Sequence, residues 1–288
     1  MTRPVRLEFP LPRFFSFDGV VRSHGWYDLP PFRYDVPARS LETAVASGGA
    51  AVAVRFEARS EEVLRVTAAG LPRHALSAMS RRIFSLDLDL SQFAASIPGD
   101  TDLLRSLGRG GGRMLRAPTI FEDSVKMLFT TNCSWAATRG MVTRLVALAG
   151  AEGKAFPEAA QVARLTSRRI ERDVRCGYRA PSLARFARRV ASGRLDLSRW
   201  EDPARPASEV REEILAERGF GPYAAEGLLR ILGRHDFLAL DSWTRQKYRR
   251  LHPGPAAKTD ASIARRYARF GIHRGLAMWL DLTRDWHE

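Results

Sequence analysis

The sequence has only two cysteines in 288 residues, Cys133 and Cys176. That is too few for a disulfide framework or for a protein-held four-cysteine iron–sulfur cluster, and it suits a reducing compartment. No Cys/His spacing of a zinc site is present, and no glycine-rich nucleotide-binding loop. No apolar run approaches the roughly 20 residues that cross a membrane. The opening stretch MTRPVRLEFP has no apolar h-region and meets proline at once, so a secretory leader is not expected. A soluble protein of the cytoplasm is the expectation that remains.

Acidic residues are also in short supply. Asp and Glu number 32 against 46 Lys and Arg, a formal net charge of +14. A basic excess of this size suggests a polyanionic partner, nucleic acid first and an anionic membrane surface second. An arginine-rich codon usage would produce the same balance with no partner at all. The other proportions, 45% hydrophobic and 27% charged, are those of an ordinary globular chain, long enough for one large domain or two modest ones.

The first third reads as β. Short apolar and aromatic stretches at Val5 to Phe9, Phe14 to Val21, Ala50 to Phe56 and Val63 to Ala68 are separated by Gly, Pro and Ser. Residues Val52 to Phe56 alternate with period two, as a half-buried strand does. From about Arg81 the pattern turns helical, and Gly108 to Arg113, with four glycines, reads as a flexible connection. Amphipathic helices are then expected over Glu122 to Phe129, Met141 to Leu148, Leu183 to Val190, Ser208 to Ala216, Ala224 to Leu232 and around Leu276 to Leu282. The expected class is α+β: an antiparallel β domain over 1–80, then an all-helical region over 81–288 with a cleft between two helical subdomains.

The richest stretch for function runs from Glu213 to Arg249. One helix ends at Gly219-Phe220-Gly221 and another begins within three residues. Two glycines around an apolar residue allow a hairpin whose backbone N–H groups, with the next helix start, can hold a phosphate. On Gly-x-Gly alone, an ordinary helical hairpin with a glycine C-cap is the favoured reading. Twenty residues after Gly221, the apolar run Phe237 to Leu240 delivers a single acid, Asp241, in front of Ser242 and Trp243. An aspartate there is a natural N-cap. A carboxylate at a helix start beside apolar walls can also face a cleft where positive charge develops.

This stretch resembles the helix–hairpin–helix DNA glycosylases (the HhH-GPD superfamily), whose hairpin reads Leu-x-x-x-Pro-Gly-Val/Ile-Gly with an aspartate about twenty residues on. Further segments carry the resemblance in the right order: Phe84 to Leu90, Arg113 to Pro118 with Phe121-Glu122, and Thr130-Thr131-Asn132. Gly177-Tyr178-Arg179-Ala180 is similar to a string of the 8-oxoguanine branch. The likeness covers residue 80 to the end, with a helix–hairpin–helix at about 208–232. Two positions depart from it, Arg218 and Ala239, each standing where proline is usual.

The resemblance implies a base-excision repair enzyme that flips a damaged purine out of double-stranded DNA and hydrolyses its N-glycosidic bond. Asp241 would be the catalytic carboxylate. Gly219, Phe220 and Gly221 would form the phosphate grip, with Asn132 in the minor groove and Tyr178 and Arg179 also on DNA. Tyr223, Trp243 and Trp279 are the implied pocket residues. Core burial is the rival role for Trp279, and for Trp286, placed with it in the last helix. Arg175, Arg185, Arg188 and Arg189 would track the backbone or simply be solvated. Lyase-proficient relatives carry lysine where this chain has Tyr223, and a phenol cannot form a Schiff base. A monofunctional enzyme leaving an abasic site is therefore expected, acting on an alkylated purine such as 3-methyladenine first and an 8-oxoguanine-type lesion second. A non-catalytic DNA-binding protein on the same scaffold is the other alternative. No cofactor is implied beyond a monovalent cation at the hairpin. The protein is expected to be a monomer, cytoplasmic and nucleoid-associated.

Overall fold

The computed structural model describes residues 3–254 and 259–286. Five strands, β1 (Val5–Pro10), β2 (Arg33–Asp35), β3 (Ser40–Ser47), β4 (Ala50–Ala58) and β5 (Val63–Ala68), form one antiparallel sheet in the order β1-β5-β4-β3-β2. Ser47 pairs with Ala50 across Gly48 and Gly49, both at positive φ (58° and 86°). That two-residue hairpin turn favours glycine at both positions. The stretch Phe14 to Val21, expected as β, is instead the short helix α1 (Phe17–Val21), capped by Ser16 Oγ accepting from Gly19 N at 3.2 Å. Its apolar residues face the core with helical spacing too brief to stand out from a strand pattern.

The helical body comprises α2 (Arg73–Ile83), α3 (Ser91–Ser96), α4 (Thr101–Gly108), α5 (Ile120–Thr130), α6 (Trp135–Ala149), α7 (Ala159–Ala163), α8 (Ser167–Val174) and α9 (Ala180–Ala191). It continues with α10 (Ser198–Glu201), α11 (Ala207–Leu215), α12 (Pro222–Ile231), α13 (Ser242–Leu251), α14 (Asp260–Tyr267) and α15 (Arg274–Leu282). Residue 80 lies within α2. Two hydrophobic cores organise these elements. The larger joins the inner face of the sheet to α2 and to helices from α5 to α12, with Phe84 against Phe17 and Phe56 at 5.6 and 5.2 Å between ring centroids. The smaller joins Leu90 to Leu107 with Leu238 and the C-terminal helices α13 to α15. The chain passes from the first core to the second between Leu232 and Leu238 and reaches Asp241 at once.

Residues Gly108 to Arg113 are not a flexible connection, because Gly110 to Arg113 are buried. A Cβ on Gly110 would meet Ser16 at 2.5 Å, and one on Gly111 would meet Leu280 at 2.5 Å and the Ser106 carbonyl at 2.7 Å. Arg113 is 1% exposed and donates to the carbonyls of Ser85 (2.7 Å) and Arg13 (3.2 Å). Gly110, Gly111 and Gly112 serve close packing where the two cores meet.

His235 sits at the same junction, buried, with neither ring nitrogen hydrogen-bonded among the described residues. Burial, reinforced by His273, Arg230 and Arg116, pulls it down to about 3. The unfolded chain takes up this proton near pH 6.5, so stability is whole above that pH and declines as pH falls toward 3. The decline is up to about 1.4 kcal/mol per pH unit, and His24, also pulled down to about 3 by burial, Arg230 and Lys126, acts in the same direction. Denaturant midpoints should drop between pH 7 and 5, and less steeply in His235→Phe. Equal slopes would exclude this account.

Candidate active site

The hairpin forms because α11 ends at Leu215, with Gly219 at positive φ beyond it, and α12 begins at a proline, whose missing N–H costs nothing at a helix start. Gly219 has φ +97°, and a Cβ there would lie 2.9 Å from Leu128 and Ser182 side chains. Glycine is required on both counts. Gly221, the N-cap of α12, has open space around it and ordinary extended backbone. Phe220 turns inward, 4% exposed, its ring 5.3 Å from that of Phe186. The backbone N–H groups of Gly219, Gly221 and Tyr223 have no acceptor among the described residues. Three uncommitted donors at a helix start form an anion-binding concavity.

Arg175, Arg185, Arg188 and Arg218 are exposed, with no carboxylate within salt-bridge distance among the described residues. Arg189 differs, being held by buried Glu217 at 3.0 Å. Arg179 is not a surface arginine: 6% exposed, it donates through Nε to Thr131 Oγ1 (3.2 Å), through Nη2 to the Thr131 carbonyl and through Nη1 to the Cys176 carbonyl (3.4 Å). Its guanidinium fastens the loop after α5. That loop carries Asn132, exposed at φ +45°, whose Nδ2 donates to the exposed Tyr178 Oη at 3.3 Å. Asn132 and Tyr178 thus stand together, and the cap of α6 is Ser134 instead.

Asp241 is half-buried and caps α13. Its Oδ1 accepts from Thr244 N at 2.7 Å, while Thr244 Oγ1 accepts from Asp241 N at 2.7 Å. Oδ2 accepts no hydrogen bond among the described residues and is not an enclosed atom. One oxygen makes the cap and the other is uncommitted, so the two roles open in the sequence are compatible. The approach to Asp241 is tightly held. Ala239 has φ +51° and its N–H donates to Glu226 Oε2 at 3.0 Å, with Arg211 on the same carboxylate at 2.8 Å. Proline, with φ locked near −65° and no N–H, fits neither feature, which accounts for alanine here.

Tyr223 and Arg230 lie seven residues apart on one face of α12. Burial pushes the Tyr223 phenol up, with the Asp241 charge adding to it. Trp243, Trp279 and Trp286 form a triangle with ring centroids 5.5 to 5.9 Å apart. Trp286 lies in the turn after α15, not in the last helix. The Arg230 guanidinium carbon stands 4.0 Å above the Trp279 ring. Beside the hairpin, a largely apolar recess of about 470 Å³ is lined by Pro222, Tyr223, Phe237, Leu238, Leu240 and Arg245 among others. It adjoins Asp241 through Leu240. Arg230, His24 and Asp123 are the site and junction residues that sequence reasoning passed over; only the seven-residue spacing from Tyr223 pointed toward Arg230.

No family model and no curated protein matches the sequence. Solved structures do match the fold over nearly the whole chain. The 3-methyladenine DNA glycosylase of Archaeoglobus fulgidus is 20% identical, with a TM-score of 0.75 over 97% of this chain and 98% of that one. The apo-form of the Clostridium acetobutylicum 8-oxoguanine glycosylase/lyase is 18% identical, with a TM-score of 0.73 and 98% of each chain covered. MBOgg1, in complex with a low-affinity DNA ligand, is 20% identical, with a TM-score of 0.74 over 98% of this chain and 96% of that one. The α+β fold of these three structures is the fold of this chain. Among the described residues no helix is long and apolar enough to cross a membrane.

Proposed function

We propose that the chain is a DNA glycosylase of base excision repair, hydrolysing the N-glycosidic bond of a damaged purine extruded from double-stranded DNA. The observation that carries this is Asp241: a carboxylate fixed by its cap, with Oδ2 uncommitted, twenty residues after a hairpin whose N–H donors have no acceptor among the described residues. The neighbours named as 3-methyladenine and 8-oxoguanine glycosylases support it by fold.

In this reading the hairpin and the unpaired arginines hold phosphates and set register without reading sequence. Asn132 and Tyr178, side by side, address the groove or the space the base vacates. As the glycosidic bond lengthens, the sugar gains oxocarbenium character, and ionised Asp241 stabilises it and orients the attacking water. The helical region 81–288 carries this chemistry, and the β domain over 1–80 supports it through the shared core. The carbonyl oxygens of Arg218, Gly219 and Phe220 accept no hydrogen bond among the described residues. They fit a monovalent cation, which would tie the hairpin carbonyls together. The protein acts as a monomer on cytoplasmic, nucleoid-associated DNA.

Tyr223 occupies the place of the amine nucleophile, so release of the base leaves an intact abasic site. Borohydride added during turnover should trap no covalent protein–DNA adduct, and a trapped adduct would overturn the monofunctional assignment. The sequence ranks alkylated purines first, yet the half-buried Arg230 guanidinium, its carbon 4.0 Å above the Trp279 ring, favours the second reading, a neutral lesion of the 8-oxoguanine type. Incubation with duplexes bearing each lesion, followed by alkaline cleavage of abasic sites, tests the whole. Failure to release a base from any of them would sink the enzymatic reading.

A further inference from the structure

From Phe237 to Leu240, the segment that delivers Asp241, backbone groups make a single hydrogen bond among the described residues, from Ala239 N to Glu226 Oε2 at 3.0 Å. The stretch just before it is held separately. Arg274 Nε donates to the Asp236 carbonyl, and Gly275 N to that of His235 at 2.8 Å. Ala239 itself is fully buried at φ +51°. An alanine in left-handed backbone is strained and persists there only while its surroundings hold it. Glu226 is the peg that does so.

The peg is fixed in turn. Glu226 Oε1 accepts from Arg211 Nε at 3.0 Å and from Arg211 Nη2 at 2.8 Å. The two side chains are largely withdrawn from solvent, Arg211 26% and Glu226 16% exposed. Two charge-assisted donors on one oxygen determine where the other oxygen points. Arg211 stands on α11 and Glu226 on α12, so the pair spans the hairpin. The Arg211 guanidinium carbon also lies 5.0 Å from the centre of the Phe237 ring. One carboxylate therefore joins the helix before the hairpin, the helix after it and the segment that ends in Asp241.

We propose that Glu226, set by Arg211, is the positioning residue of the site, holding Asp241 at a fixed place relative to the phosphate grip at Gly219 to Gly221. This rests on the glycosylase reading above and adds the residue through which grip and carboxylate share one frame. A strand gripped at the hairpin presents its sugar at a place the hairpin decides, and the carboxylate has to meet it there. A misplacement of about 1 Å can cost on the order of 100-fold in rate. Glu226 touches neither base nor sugar in this account and acts only through Asp241.

In the full-length protein, Glu226→Ala should lower the single-turnover rate of base release roughly 10–100-fold. The substrate is whichever of the 8-oxoguanine and 7-methylguanine duplexes the wild type cleaves faster. Glu226→Gln keeps an acceptor for Ala239 N and should recover most of that loss. Affinity for the same duplex bearing a 2′-fluoro sugar, which resists cleavage, should stay within about threefold in both variants. In an Asp241→Asn background, Glu226→Ala should cost less than about threefold, because a residue acting through that carboxylate has nothing left to position. A residue that only stabilises the fold would lower the rate alike in both backgrounds. Amide hydrogen exchange gives a readout that needs no activity. Glu226→Ala should speed exchange at Ala239 and Asp241 roughly 10–100-fold, with Leu228 and Leu229 of α12 unmoved. Equal rate losses in the two backgrounds, or an Asp241 amide whose exchange does not change, overturn the positioning role. If wild type releases a base from neither duplex, the glycosylase reading falls, and exchange at Asp241 alone decides whether Glu226 sets that residue.

Discussion

Asp241→Asn should lower the single-turnover rate of base release by roughly 10²–10⁴-fold while leaving DNA affinity much less affected. The substitution is unusually clean at this position. Asparagine is as good an N-cap as aspartate, so its Oδ1 can keep the bond from Thr244 N seen at 2.7 Å. Only the uncommitted side changes, where a negative oxygen becomes an amide nitrogen with hydrogens. A developing sugar cation then meets a donor dipole instead of an anion. Asp241→Ala removes the cap as well and should cost about 1 kcal/mol of stability besides. Wild-type rates in Asp241→Asn would remove the carboxylate from the mechanism, whatever happened to binding.

Asp123→Ala should destabilise the fold by about 3–5 kcal/mol, measured from denaturant midpoints. Asp123 is fully buried on α5 and ties together three parts of the chain. Its Oδ1 accepts from Trp26 Nε1 at 2.7 Å and from Ala117 N at 2.9 Å, and Oδ2 pairs with Arg82 at 2.9 Å. Removing it strands an indole N–H and a backbone N–H in the interior and strips one counter-charge from Arg82, itself only 14% exposed. Glu201 stays on Arg82 at 2.9 Å, which keeps the loss from being larger. A change under about 1 kcal/mol would mean that water replaces the carboxylate at this junction, against its complete burial.

Much of the site was legible because its signals are local. Gly219 is a glycine for its φ, Phe220 is an apolar residue pointing inward from a turn, and Asp241 opens a helix; each follows from neighbours within a few positions. The strand at Ala50 to Phe56 announced itself by the alternation of Val52 to Phe56, and that at Val63 to Ala68 by its short apolar run. What misled was context. Four glycines between Gly108 and Arg113 look loose in sequence, but Gly110 and Gly111 are used to bring Ser16 and Leu280 close, and only Gly108 stands in open space. Arg179 looked like one more phosphate ligand, and only the burial of its guanidinium against Thr131 separates it from Arg185 and Arg188. Ala239 looked like a loosened proline until its backbone N–H proved to be in use. Arg230 carried one signal, its seven-residue spacing from Tyr223 on α12, and His24 carried none.

The smaller core draws on two stretches far apart in the chain, Leu90 to Leu107 and everything from Leu238 onward. On the ribosome the first of these emerges early and waits, its leucines and Phe93 without their eventual cover. Contacts of such long sequence separation are slow to close. The sheet and the helices through α12 can consolidate while synthesis continues, but the loop bearing Asp241 acquires its second wall only when the final helices arrive. A prematurely terminated product would therefore lack the cover that α13 to α15 give Leu238 and the loop bearing Asp241.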